Sequence, residues 1–257
     1  MGKSVRHTGV RDFVSMDRFN PAVIMTTRVP VGGDCKSRMG CAFSSEERNE
    51  LQRAMLLDGL NAASGTGYPI FVFYTPDDLG FEMAALARAE HTLAPQVGHT
   101  LGVRMENAFE QVFSQGYSPC VLIGSDVPQL TTSSIEKAFI ALENADSALT
   151  PTEDGGYCLI GLKQPTHAAF PAIKYGTENV LEQTRSSLED AGFSCSLLEP
   201  CLDIDTPFDL ADFLETATEH DCPNTYDFAV RHTQQLNAYR QPKQQKDFFG
   251  FYSHKTC

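Results

Sequence analysis

Between Pro119 and Pro128 the chain reads Cys120-Val121-Leu122-Ile123-Gly124-Ser125-Asp126-Val127, an apolar run that ends abruptly in a carboxylate and is stopped by proline. Apolar residues without polar alternation form a strand covered on both faces, as in a parallel sheet. Ligands in such sheets bind beyond the carboxyl ends of the strands, so the run puts Asp126 where a ligand or metal binds. Leu202-Asp203-Ile204-Asp205-Thr206-Pro207 offers two further carboxylates just before a helix start. Three acids at two element ends can hold a divalent cation.

At 257 residues the chain can bury a large core, and its length suits one catalytic-size domain with an appendage. A formal net charge of −13 argues against a nucleic-acid or anionic-membrane partner. A small anionic substrate stays open through local cations or a metal. No apolar run approaches the roughly 18 residues of a membrane span, and Met1 to Arg6 lacks an apolar signal core. No membrane partner and a cytoplasmic location are expected. Eight cysteines without a Cys-x-x-Cys pair read mainly as buried thiols.

Residues 1 to 20 are polar and aperiodic, and the fold is expected to begin after Pro21. Ala22 to Thr26, Ile70 to Tyr74, Cys120 to Ile123, Ser147 to Thr150, Tyr157 to Leu162 and Ser194 to Leu198 read as strands. Helices alternate with them. Ser44 with Glu47, and Ser133 with Glu136, have capping-box spacing, and Thr206-Pro207 with Asp209 opens another helix. The order predicts an α/β fold with a domain over 21–219. The polar and aromatic segment 220–257 is expected outside the core, with Phe248 to Tyr252 able to dock on it or on a second copy in a homo-oligomer.

Gly32-Gly33-Asp34-Cys35-Lys36-Ser37-Arg38 follows the first strand, where glycine amides with Lys36 and Arg38 can cradle phosphates; the plainer alternative is a glycine turn with two solvated cations. The loop matches neither G-x-x-x-x-G-K-[ST] nor G-x-G-x-x-G. Asp126 fits a metal ligand or a cap for the next turn, and Asp203 and Asp205 fit ligands or helix caps. Glu153-Asp154-Gly155-Gly156-Tyr157 is either a substrate loop, with Gly155 and Gly156 letting a ligand approach the backbone, or a tight hairpin.

Several of these motifs, in one order, carry a resemblance: Gln96-Val97-Gly98 through Met105, Gly124 to Pro128, Glu153 to Tyr157, Tyr175-Gly176-Thr177 and Asp203 to Pro207. The chain resembles a bacterial glycosyltransferase-like domain family of unknown function with the GT-A nucleotide-diphospho-sugar transferase fold. Cys35 to Met39 and the helix from Glu46 to Asp58 are also similar to 2-phospholactate guanylyltransferases. The resemblance spans residues 21 to 215 and implies a three-layer αβα sandwich with a mixed, mostly parallel sheet. It also implies metal binding by Asp126 with Asp203 or Asp205, and phosphate handling by Lys36 and Arg38. Two departures stand out. Cys35 and Ser37 replace a hydrophobic residue and a threonine around the lysine, and Asp154 to Tyr157 replaces a Gly-Gly-Thr-Asn loop.

Residues and resemblance together predict a transferase dependent on Mg²⁺ or Mn²⁺ that takes a nucleotide-activated donor. Glycosyl transfer from a nucleotide sugar to a small acceptor is the first expectation, with Glu153 or Asp154 as base. The rival is nucleotidylyl transfer, in which a phosphoacid attacks a nucleoside triphosphate and pyrophosphate leaves. A non-catalytic nucleotide-binding protein is the third reading.

Overall fold

In the computed structural model, which describes residues 19–32 and 35–240, seven strands form one sheet. They are β1 (Ala22–Arg28), β2 (Ile70–Thr75), β3 (Thr92–Pro95), β4 (Cys120–Gly124), β5 (Ser147–Pro151), β6 (Tyr157–Leu162) and β7 (Cys195–Leu197), in the order β3-β2-β1-β4-β6-β5-β7. Neighbours are parallel except where β6 runs antiparallel to β4 and β5. The sheet is mixed and mostly parallel, as expected.

Helices α1 (Ser45–Gly65), α2 (Gly80–Ala84), α3 (Leu101–Phe113), α4 (Thr132–Asn144) and α5 (Val180–Asp190) connect the strands. Their apolar faces explain why the strands are apolar throughout. Val23, Met25, Val72, Val121 and Ile123 pack with Leu56 and Leu60 of α1 and Ile135 and Phe139 of α4. The alternate residues Ala22, Ile24, Phe71, Phe73 and Leu122 pack with Met105, Phe109 and Val112 of α3 and Leu188 of α5. β1, β2 and β4 thus feed two cores, which is the three-layer αβα arrangement. No helix among the described residues is long and apolar enough to cross a membrane.

Ser44 and Glu47 form the anticipated capping box on α1. The box expected at Ser133 and Glu136 is displaced. Thr131 is the N-cap of α4, its hydroxyl accepting from the Ser134 amide, while the Thr132 hydroxyl already donates to the Ala62 carbonyl of α1. The contact with α1 therefore sits in the first turn of a helix that starts before Ser133.

The segment after residue 219 needs a larger correction. Beyond α6 (Pro207–Thr216), α7 (Pro223–Arg231) and α8 (Thr233–Leu236) belong to a third apolar cluster in which Cys222, Phe228, Ala229 and Leu236 are buried against Met55 and Leu51 of α1. Buried Asp58 on α1 accepts from the Asn224 amide (3.1 Å), the Asn224 side chain (2.7 Å) and the Thr225 amide (2.7 Å). These bonds satisfy donors at the start of α7 that its own helix cannot. The polar composition that suggested an extension is the outer face of this helical cover. Phe248 to Tyr252 lie outside the described residues.

Candidate active site

The carboxyl ends of β1, β4 and β5 open into one cleft of about 560 Å³, which also meets the start of β6. Asp126, Asp154, Asp203 and Asp205 line it together with Arg28, Lys36, Arg38 and Arg104. Acids and cations far apart in sequence therefore share one chamber.

β4 delivers Asp126 as the apolar run predicts. Beneath it, the Ser125 hydroxyl is buried and accepts from Thr27 Oγ1 (3.1 Å) and Gln52 Nε2 (3.0 Å). This network ties the end of β4 to β1 and α1, with Gln52 as the polar side chain that α1 contributes here. The Ile204 amide donates to the Asp126 carbonyl at 3.0 Å, which fixes the Asp203–Asp205 segment alongside. Thr206 caps α6 in a reciprocal box with Asp209, and Asp209 also accepts from the Asp205 amide. The capping role is thus filled by Thr206 and Asp209, leaving the Asp203 and Asp205 carboxylates to the cleft.

Lys36 is the most tightly held of the cations. Its ammonium donates to the Ile204 carbonyl at 2.6 Å and lies 2.8 Å from Asp126 Oδ1 and 3.3 Å from Asp205 Oδ1, with its side chain only 5% exposed. Burial alone would lower its pKa, but Asp126 and Asp205 outweigh that and hold it above the ordinary lysine value. Arg38 is largely exposed and pairs with Asp205 Oδ2 at 3.0 Å. Both cations of the loop thus engage carboxylates. Gly33 lies outside the described residues.

Asp203 is the least comfortable acid. Burial, followed by the neighbouring charges of Asp154 and Asp205, pushes its pKa up to about 7. Carboxylates and a backbone carbonyl are hard oxygen donors, which suit a hard divalent cation rather than a thiophilic metal.

The loop between β5 and β6 divides. Asp154 Oδ1 accepts from Thr152 Oγ1 (2.6 Å) and the Gly156 amide (3.0 Å), so one of its oxygens is spent on holding the loop. Glu153 is exposed and does not line the cleft. Gly155 has φ +84°, and a Cβ there would collide with the Glu178 carbonyl oxygen. Its need for glycine comes from the Glu178 backbone rather than from a ligand. Gly156 lines the cleft beside Tyr157, Tyr175 and Thr177.

Arg28, Gln96 and Arg104 received no role from the sequence. Arg104 leans on the Gly98 carbonyl through Nε (2.8 Å), and Gln96 Nε2 bridges the carbonyls of Thr27 and Phe73. Gln96 and Arg104 lie in the stretch Gln96 to Met105 that carries the resemblance, and Arg28 ends β1; these placements are the signals that could have drawn attention to them.

Residues 56–177 match the family model described as an uncharacterized protein conserved in bacteria, DUF2064. A 3-phospho-D-glycerate guanylyltransferase of Phenylobacterium zucineum is 30% identical over 190 residues, covering 69% of this chain and 83% of that protein. The chain belongs to the DUF2064 family, among relatives of the guanylyltransferases. A 2-phospho-L-lactate guanylyltransferase of Methanoculleus marisnigri is 28% identical over 182 residues, covering 70% of the DUF2064 chain and 76% of the relative. A solved structure assigned as a nucleotide-diphospho-sugar transferase from Desulfovibrio desulfuricans G20 superposes with a TM-score of 0.81 at 26% identity. It covers 88% of this chain and 100% of that one. This DUF2064 protein is therefore a transferase, with the nucleotide-diphospho-sugar transferase fold.

Proposed function

We propose that the protein is a metal-dependent nucleotidylyltransferase that joins a nucleoside triphosphate, GTP in the first instance, to a small phosphorylated acid and releases pyrophosphate. Glycosyl transfer, the first expectation from sequence, becomes the second reading. The observation that carries this order is the gathering of Arg28, Lys36, Arg38 and Arg104 around one cleft with the carboxylates. A triphosphate and a phosphoacid bring more negative charge than a nucleotide sugar and a neutral acceptor, and in a chain of net charge −13 such a gathering calls for an anionic load. The curated relatives, all guanylyltransferases acting on phosphoacids by name, support the same reading.

In this reading an acceptor phosphate oxygen attacks the α-phosphorus of the triphosphate. The α–β phosphoanhydride bond breaks with its electron pair going to pyrophosphate, and a new phosphoanhydride links nucleotide and acid. Asp126 with Asp203 or Asp205 would hold Mg²⁺ or Mn²⁺, which supplies charge stabilisation across the phosphate oxygens when bound. Lys36, Arg38, Arg28 and Arg104 place the two anions side by side against their mutual repulsion. A phosphate nucleophile is already ionised at neutral pH, so the step needs no general base, and Glu153 and Asp154 lose that assignment here. A cytoplasmic location is part of the reading, in keeping with Cys35, Cys120, Cys158, Cys195, Cys201 and Cys222 as free thiols.

The deciding experiment supplies GTP, ATP, CTP or UTP with Mg²⁺ and each of 3-phosphoglycerate, 2-phospholactate and phosphoenolpyruvate, and follows pyrophosphate. Acceptor-dependent pyrophosphate release with one base is the expected result. Nucleoside diphosphate release from nucleotide sugars, with no pyrophosphate from any triphosphate, overturns it in favour of glycosyl transfer.

A further inference from the structure

Lys36 cannot serve the phosphates in the position it occupies. An ammonium has three N–H donors, and here there are three acceptors, the Ile204 carbonyl, Asp126 Oδ1 and Asp205 Oδ1. No donor is left for a substrate oxygen, and the 5% exposure of the side chain leaves it little access to one. The backbone carries a second sign. Lys36 is the non-glycine residue with positive φ among the described residues, at φ 48° and ψ 48°. A lysine adopts that left-handed conformation only where its surroundings over-determine it. The bonds made by Nζ, one of them to Ile204 across 168 residues of chain, hold the loop there together with the bond from Arg48 Nε to the Cys35 carbonyl.

Asp126 is a proposed ligand of the divalent ion, and Asp205 is one of the two acids proposed to join it. Two cations sharing one pair of oxygens repel each other, so an arriving ion takes the place of the ammonium rather than joining it. We infer that Lys36 is a built-in counter-ion that competes with the divalent cation for Asp126 and Asp205, and that metal entry releases it toward the substrate phosphates. This rests on the metal-site reading above. It assigns to one side chain two successive tasks. Without metal, Lys36 keeps two close carboxylates from repelling each other; with metal, it becomes a phosphate-positioning group. The loop then relaxes from its strained turn, and metal and nucleotide load together rather than independently.

The test measures Mn²⁺ alone, without nucleotide, by electron paramagnetic resonance of the free ion in titrations of the full chain. Lys36→Gln should bind Mn²⁺ at least tenfold more tightly than the wild type, while Lys36→Arg, which keeps a cation in the loop, should stay near the wild-type affinity. Amide hydrogen exchange on the wild type gives a readout that needs no variant. Saturating Mn²⁺ should speed exchange at Met39 and Gly40, whose amides bond back to Lys36 and Ser37. Equal Mn²⁺ affinity in wild type and Lys36→Gln, or saturable binding with unchanged loop exchange, overturns the competition and leaves the metal site standing. No saturable Mn²⁺ binding in any of the three proteins overturns both.

Discussion

The molecule holds two clusters of acids that look alike as a residue list and differ in everything around them. Asp126 just past the end of β4 and Asp203 and Asp205 just before α6 sit inside the cleft, with a buried lysine among them. Glu106 and Glu110, one turn apart on α3, stand with His167 at the outer surface, their ligand atoms all within 4.8 Å of one another. The outer group has metal-ligand chemistry by type and spacing. Yet the His167 ring is 87% exposed and pairs with Glu106, so its charges are balanced by each other and by water. In the cleft, balance depends on the Lys36 ammonium, on Arg38 at Asp205 and on whatever cation enters. Proximity of ligand atoms alone does not distinguish a site from a solvated face; a buried counter-ion held among the acids does.

The largest expected contrast is in turnover. Asp126→Asn should lower kcat/KM by about two to three orders of magnitude, the scale of removing one electrostatic contact to a developing charge. The paired change Glu106→Gln with Glu110→Gln should leave it within twofold. Steady-state pyrophosphate release measures both. Comparable losses in the two proteins would erase the distinction between the clusters.

A second contrast lies in the dependence of stability on pH. Asp203 has a folded pKa of about 7 against an ordinary 3.8, so between those values the folded protein keeps a proton that the unfolded chain has lost. Its contribution is fully present below about pH 4 and is lost as pH rises through 7, with a slope of at most about 1.4 kcal/mol per pH unit. Glu47 and Asp146, whose pKa values are lowered by hydrogen bonds from Ser44 and Ser194, act with the opposite sign at more acidic pH and leave the window from 5 to 7 clear of them. Urea unfolding at pH 5, 6 and 7 should show the decline in the wild type and its reduction in Asp203→Asn. Millimolar Mn²⁺ should flatten it too, because a bound cation favours the ionised form. An Asp203→Asn profile parallel to the wild type would remove Asp203 as the source.

Much of this was legible in the sequence, for reasons that differ from residue to residue. The uninterrupted run from Cys120 to Ile123 reports burial on two faces, and Asp126 follows from where such strands end. Thr206 and Asp209 announce their helix because a capping box is local chemistry. β3 has no such signature; Thr92 to Pro95 is a four-residue edge strand without a buried residue, so neither alternation nor an apolar run marks it. The pairing of Lys36 with Ile204 and Asp205 spans most of the chain and depends on which strands neighbour β1, something no local pattern carries. The helical cover of α7 and α8 was hidden for a third reason. Its buried residues, Cys222, Phe228, Ala229 and Leu236, are spaced too widely in a polar stretch to raise its mean hydropathy, although the fully buried Asp58 that anchors it stands in the apolar face of α1.

The smallest expected effect concerns the outer cluster itself. Glu106, by hydrogen bond and charge, raises the pKa of His167 above its ordinary 6.5, with Glu110 adding to it. The sign is that of a protonated imidazole held by a carboxylate, and a metal ligand would need the opposite, a neutral ring nitrogen. NMR titration of the His167 ring should therefore find a raised midpoint that returns toward the ordinary value in Glu106→Gln. Addition of millimolar Mg²⁺ should leave that midpoint unchanged, because an exposed ring that has already found its counter-charge gives the ion nothing to complete. A midpoint that falls on adding metal would make the outer cluster a competing cation site and would reverse the contrast with the cleft.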